Sequence, residues 1–314
     1  MNTSDLNTMT IVDRINSVSD NTNLTGTDDD VVLAKIEVSS ICKFNCSFCS
    51  RQYIRSNDPD RLDKNMDLDT LKGIITTLKS RYKNLKEIGL FYMGESGFNP
   101  NLKEMYKYLK DNGYFTFLTT NASYIKYILE AIPYIDSLKV SWNYTDIDDF
   151  NKKTNASYKY QDFMDLIDNI DKLYYTCHKY GKTLSVSTIL DDVKNTKAYE
   201  QQLNGFHYDF HYYIPLQNNG GYLEEGCDGI LGTFDIPRKV VPCWSLFKAV
   251  YVDILGNIRP CCYSHKMKCG VIDNNTIRFT TEEKDDYVVE SNMKKLHLEG
   301  KIPDECSKCL RYQK

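Results

Sequence analysis

The chain has 314 residues, enough for one large α/β domain or a domain with an appendage, and its composition is neither collagenous nor of low complexity. Lys and Arg number 39 against 43 Asp and Glu, a net charge of -4 that argues against electrostatic attraction to nucleic acid or anionic membranes. No stretch has the build of a signal peptide or reaches the roughly 18 apolar residues of a spanning helix, so a cytoplasmic protein without nucleic-acid or membrane partners is expected.

Residues 1–30 are polar, carry the acidic run Asp28 to Asp30, and read as a disordered or weakly helical tail. Six β-type runs then recur: "VVLAKIEV" from residue 31, "EIGLFYM" from 87, "YFTFLTT" from 114, "SLKVSW" from 137, "TLSVSTIL" from 183 and "FHYDFHYYI" from 206. Between them, apolar residues fall on single helical faces: Leu68, Leu71, Ile74, Ile75, Leu78 and Tyr82; Leu102, Met105, Tyr106 and Leu109; Phe163, Leu166, Ile167, Ile170, Leu173 and Tyr174. This alternation predicts an α/β domain over residues 31–217, a parallel sheet with crossover helices that is either doubly wound or a complete or partial barrel. Residues 218–242 are rich in Gly and turn formers and read as a linker or a loop over the site. A second unit, residues 243–314, opens with two short strands about a Gly turn in "FKAVYVDILGNIRP" and closes with a helix carrying Met293, Leu296 and Leu298.

Eleven cysteines are many for a reducing compartment, where disulfides are rare and thiols serve as metal ligands, nucleophiles or core filler. Cys42, Cys46 and Cys49 lie within eight residues directly after the first strand, at the carboxyl end of the sheet where α/β sites are built. Three thiolates on one loop hold a metal centre with one position open, or a zinc ion whose fourth ligand is distant. A second set follows: Cys243, then Gly256 and Cys261, then Cys306 and Cys309, a spacing that fits a cluster or a structural zinc. Of the rest, Cys177 lies on a helical face as core, while Cys227, Cys262 and Cys269 have no ligand assigned.

The element "CKFNCSFC", with aromatic Phe48 before the third cysteine, resembles the C-x3-C-x2-C signature of the radical S-adenosylmethionine (SAM) superfamily. That resemblance, covering residues 31–217, implies a partial (β/α)6 TIM-like barrel, a [4Fe-4S] cluster on Cys42, Cys46 and Cys49, and SAM on the fourth iron. It further implies cleavage of SAM to a 5′-deoxyadenosyl radical that abstracts a substrate hydrogen, with flavodoxin or ferredoxin as electron donor. "MGES", Met93 to Ser96, resembles the family's GGEP-like element, although Met93 and Ser96 depart from it; Gly94 would admit the ligand's approach and Glu95 would accept from its ammonium group. "TTN" and "SWN" resemble the polar strand ends that line SAM, implying contacts from Thr119, Asn121 and Ser141. The second thiol set resembles a SPASM extension in its shorter twitch form, implying one auxiliary [4Fe-4S] cluster on Cys243, Cys261, Cys306 and Cys309.

The sequence "PCC", Pro260 to Cys262, is similar to that of radical SAM peptide epimerases in which such a thiol returns a hydrogen atom, making Cys262 a candidate donor and Cys227 a competing one. The expected activity is dehydrogenation or epimerisation of a small polar substrate, sugar-like or aminocyclitol-like, since no peptide-binding module precedes the barrel. A peptide-modifying enzyme and a zinc-stabilised α/β binding protein are the alternatives.

Overall fold

Runs of β-branched and aromatic residues become strands because their side chains alternate between two buried faces of one sheet. The computed structural model describes residues 24–190, 196–215, 242–282, 288–307 and 309. All six expected runs contain a strand: β1 (Leu33–Ile36), β2 (Glu87–Gly89), β3 (Phe115–Thr120), β4 (Ser137–Ser141), β5 (Leu184–Leu190) and β6 (Phe210–Pro215). They pair in parallel in sequence order. No pairing joins β6 to β1 among the described residues, so this is an unclosed, partial TIM-like barrel.

The second unit extends the same sheet. There β7 (Ala249–Val252) runs parallel to β1 on its free edge, and β8 (Asn257–Arg259), β9 (Gly270–Asp273) and β10 (Thr276–Phe279) follow antiparallel. Gly256, at φ 80°, makes the turn between β7 and β8. The β9–β10 hairpin lies outside the expected elements. Asn274 and Asn275, with φ 47° and 58°, form its two-residue turn, the left-handed pair that suits a twisted hairpin.

The helices are α1 (Arg51–Asn57), α2 (Leu68–Arg81), α3 (Leu102–Asp111), α4 (Lys126–Ala131), α5 (Ile147–Thr154), α6 (Tyr160–Lys179), α7 (Thr196–Leu203), α8 (Trp244–Lys248) and α9 (Glu290–Leu298). In α6, Phe163, Leu166, Ile167, Ile170, Leu173 and Cys177 form one buried stripe, confirming Cys177 as core. Asp67 caps α2 by accepting from the Thr70 amide at 2.7 Å, worth about 1 kcal/mol. The tail reading does not extend to residue 30. Asp30 is buried and accepts from the amides of Thr25 and Gly26, while Arg81 pairs with Asp28 at 3.0 Å and Asn84 donates to the Asp29 carbonyl at 2.7 Å, which ties the acidic run to the body.

Strand alternation sorts the sheet into two faces. Ala34, Ile36, Ile88, Leu118, Leu138, Val140 and Val186 pack with the helices in the main core. On the inner face Leu33, Ala249 and Tyr251 form a separate cluster, joined by Tyr92, Phe117, Trp244, Cys261 and Cys262.

Candidate active site

The loop leaving β1 is held from several sides. Phe44 is buried edge-on against Phe150, and the amides of Asn45 and Ser47 donate to the Thr154 and Lys153 carbonyls at the end of α5. Arg51 reaches back to the Ser40 carbonyl at 3.0 Å, and Gln52 donates to the Cys46 carbonyl at 3.0 Å. Cys42, Cys46 and Cys49 are partly buried, and the Cys42 and Cys46 thiols lie within electrostatic reach of Cys49. Burial, and then neighbouring charge, pushes the Cys42 thiol up to about 11. Burial likewise raises Cys46 and Cys49. Thiols so placed are poor free thiolates, and a bound metal would supply the positive charge that ionised sulfur lacks here.

Against this loop lies the "MGES" turn. The Glu95 amide donates to the Ile41 carbonyl at 2.7 Å, and a Cβ on Gly94 would stand 2.1 Å from the Ser39 carbonyl oxygen. The absence of a side chain at residue 94 therefore serves the contact with the loop after β1. The Glu95 carboxylate, expected to accept from an ammonium group, points toward the end of β3. It is buried and accepts from Thr120 Oγ1 at 2.9 Å, the Asn121 amide at 2.7 Å and the Gly97 amide at 3.0 Å. Glu95 thereby fixes the end of β3, where Asn121 Nδ2 donates to Cys42 Sγ at 3.5 Å. Thr119 and Ser141 stand at neighbouring strand ends, both partly exposed, and Phe48 is half-buried on the thiol loop.

The second thiol set converges from three segments. Cys243 begins α8, Cys261 follows β8, and Cys306 and Cys309 share one turn closed by a 3.0 Å hydrogen bond between their backbones. Cys306 lies within electrostatic reach of Cys243 and Cys309, and Cys261 of Cys243 and Cys306. Burial first, then these neighbours, pushes Cys306 up to about 12. Among the described residues no three Cys, His, Asp or Glu side chains converge tightly enough for a single metal ion.

Cys262 belongs to the inner-face cluster, its thiol 3.7 Å from Ser245 Oγ, which in turn lies 2.6 Å from the Tyr251 hydroxyl. Cys269 is buried and its thiol donates to the Ile258 carbonyl. Cys227 lies outside the described residues.

Two features escaped the sequence reading. A buried ionic network spans the two thiol regions: Arg61 donates twice to Glu37 at 3.0 Å, lies 3.7 Å from Asp253, and Arg259 pairs with Asp253 at 2.7 Å. Glu37 also takes the amides of Met93 and Ile254, while His265 meets Ser50 at 2.6 Å and Tyr92 donates to the Cys261 carbonyl at 3.2 Å. Burial opposes charge on Asp253, but Arg61 and Arg259 outweigh it and hold that carboxyl below its usual range. The second feature is a pair of lysines, Lys35 on β1 and Lys139 on β4, whose alternation places both on the inner face.

Residues 36–193 match the sequence pattern described as the Radical SAM superfamily. Among solved structures, the chain is similar to BtrN in complex with AdoMet and 2-DOIA, at 16% identity over 89% of this chain and 92% of that one, with a TM-score of 0.49. It is also similar to SuiB of Streptococcus suis bound to the precursor peptide SuiA, at 15% identity over 96% and 73% of the two chains, with a TM-score of 0.46. A third likeness is to TYW1 with a lysine-pyruvate adduct bound, at 20% identity over 59% and 62%, with a TM-score of 0.39. No curated protein sequence matches the chain.

Proposed function

Because this chain belongs to the radical SAM superfamily, we propose that it epimerises or dehydrogenates a small polar substrate held on the inner face of its sheet. When bound, a [4Fe-4S] cluster on Cys42, Cys46 and Cys49 with SAM at its open iron supplies a 5′-deoxyadenosyl radical that removes a substrate hydrogen atom. Asn121, Thr119 and Ser141 present polar groups to SAM from the strand ends, with Phe48 and Gly94 bordering it, and Glu95 acts by holding Asn121 in place. Cys243, Cys261, Cys306 and Cys309 would hold an auxiliary [4Fe-4S] cluster, and flavodoxin or ferredoxin would supply electrons.

One observation carries the choice between outcomes: Cys262 packs against the inner-face cluster of Leu33, Ala249 and Tyr251. A thiol there can give its hydrogen atom to a substrate radical, breaking S–H and forming C–H on the face opposite to abstraction. The sulfur radical left behind is restored by one electron from the donor protein and one proton. Epimerisation is therefore the favoured outcome. The test is Cys262→Ala assayed in D2O: loss of epimerised product while 5′-deoxyadenosine still forms supports the reading. Unchanged epimerised product from that variant removes Cys262 from the mechanism, and an oxidised product from wild type and variant alike transfers the assignment to dehydrogenation.

A further inference from the structure

A buried hydrogen bond joins the two thiol regions. Ser50 directly follows Cys49, His265 lies in the turn that follows Cys261, and Ser50 Oγ stands 2.6 Å from His265 Nε2. The two residues are 3% and 2% exposed, so water does not compete for the contact. The turn itself is set by the Ser264 amide, which donates to the Cys261 carbonyl at 3.2 Å, and that carbonyl also takes the Tyr92 hydroxyl. The second unit seats the imidazole: Arg259 on β8 donates to the His265 carbonyl, and the Tyr92 ring lies 5.7 Å from the His265 ring.

Ser50 Oγ has a second neighbour, Met93 Sδ at 3.4 Å, and a thioether only accepts. The hydroxyl proton therefore points to Met93, and the oxygen accepts from His265 Nε2–H. Burial, and then the Arg61 and Arg259 charges, keep the ring uncharged, so its one proton lies on Nε2. Held from both sides, Ser50 takes φ -66° and ψ -4°, and ψ sets the direction of the next amide. That amide, of Arg51, turns back and donates to Cys49 Sγ at 3.4 Å. An N–H aimed at a ligand sulfur stabilises the negative charge that a cluster gains on reduction, so this contact bears on the reduction potential.

Resting on the radical SAM reading above, we propose that His265 is a positioning residue for the first cluster: by donating to Ser50 it holds the Arg51 amide on Cys49 Sγ and raises the potential at which that cluster accepts its electron. The second unit then does more than carry its own thiols. From the turn after Cys261 it adjusts the loop of Cys49, and brings the first cluster nearer the reach of the electron donor.

The test is a redox titration of the anaerobically reconstituted full chain, followed by electron paramagnetic resonance. The first cluster's signal is the one that SAM alters and that the Cys42→Ala/Cys46→Ala/Cys49→Ala variant lacks. His265→Phe and Ser50→Ala should each shift the ratio of reduced to oxidised first cluster about tenfold toward the oxidised form at a fixed potential, a midpoint lowered by about 59 mV for one electron. The double variant should fall no further than either single one, because both changes break the same bond. His265→Gln, which keeps an N–H near the place of Nε2, should stay within about twofold of wild type. A bond that serves packing alone would lower Tm and leave the midpoint in place, and that result overturns the proposal. So do additive falls in the double variant, a His265→Gln fall equal to that of His265→Phe, and a shift confined to the auxiliary signal. Should His265→Phe fail to take up iron, Ser50→Ala, with the imidazole intact, decides. A wild-type preparation that holds no iron and binds no SAM instead fails the underlying reading.

Discussion

Replacing Arg61 by Met tests whether the buried ionic network supports the site. The Arg61 and Glu37 side chains are each 1% exposed, and two 3.0 Å contacts join them. Removing one partner of such a pair leaves a buried charge without compensation, a loss of about 3–5 kcal/mol. Glu37 keeps the Met93 and Ile254 amides, each at 3.1 Å, and Asp253 keeps Arg259, so the lower end, about 3 kcal/mol, is expected. With an unfolding entropy of about 2.1 cal/mol/K per residue, that corresponds to a fall of about 5 °C in Tm for a chain of this length. Removing both charges relieves the stranded carboxylate, so Arg61→Met with Glu37→Leu should cost less than Arg61→Met alone. Urea unfolding of the reconstituted proteins, with Tm as a second readout, measures each step. A single-variant cost under about 1 kcal/mol, or strictly additive costs in the double variant, would refute the reasoning.

Gly94→Ala places a methyl group 2.1 Å from the Ser39 carbonyl oxygen and 2.6 Å from Ser40 Cα, both backbone, so the two loops must part. A destabilisation of about 1–3 kcal/mol with weakened SAM binding is expected, and unchanged SAM affinity in calorimetry would contradict it. Stability should rise with pH between about 8 and 10.5 on account of Lys139, because there the unfolded chain binds a proton that the folded chain does not. The gain is on the order of 1–3 kcal/mol, and it should vanish in Lys139→Met; equal pH slopes of the urea midpoint in the two proteins would count against it. Cys306→Ala with Cys309→Ala should remove about four irons per chain and leave SAM binding intact. A full complement of iron in that variant would show that these thiols are not ligands.

How far the sequence could be read depended on how local each signal was. Strand runs such as "FTFLTT" were legible because their alternation survives without knowledge of neighbours, and the eight-residue thiol loop because its three cysteines sit on one turn of chain. The β9–β10 hairpin was legible in principle from Asn274-Asn275, but its strands are four residues each and only partly buried. Arg61 and Glu37 are separated by 24 residues, and Glu37 and Ile254 by 217, so nothing in the linear order announces their contact. Lys35 and Lys139 each look like an ordinary strand lysine. Only the register across β1 to β4 places them on one face of the sheet. Glu95 shows the same limit: the sequence places it beside Gly94, while its hydrogen bonds to Thr120 and Asn121 depend on where β3 ends.

The central claim is that two separate groups of thiols hold two clusters, one of them open to SAM. Iron and acid-labile sulfide per chain, after anaerobic reconstitution of the wild type and of the Cys42→Ala/Cys46→Ala/Cys49→Ala variant, test it most directly. The account predicts about eight irons falling to about four, with SAM binding lost in the variant. Zinc in place of iron, or a variant that keeps all its iron, would contradict it.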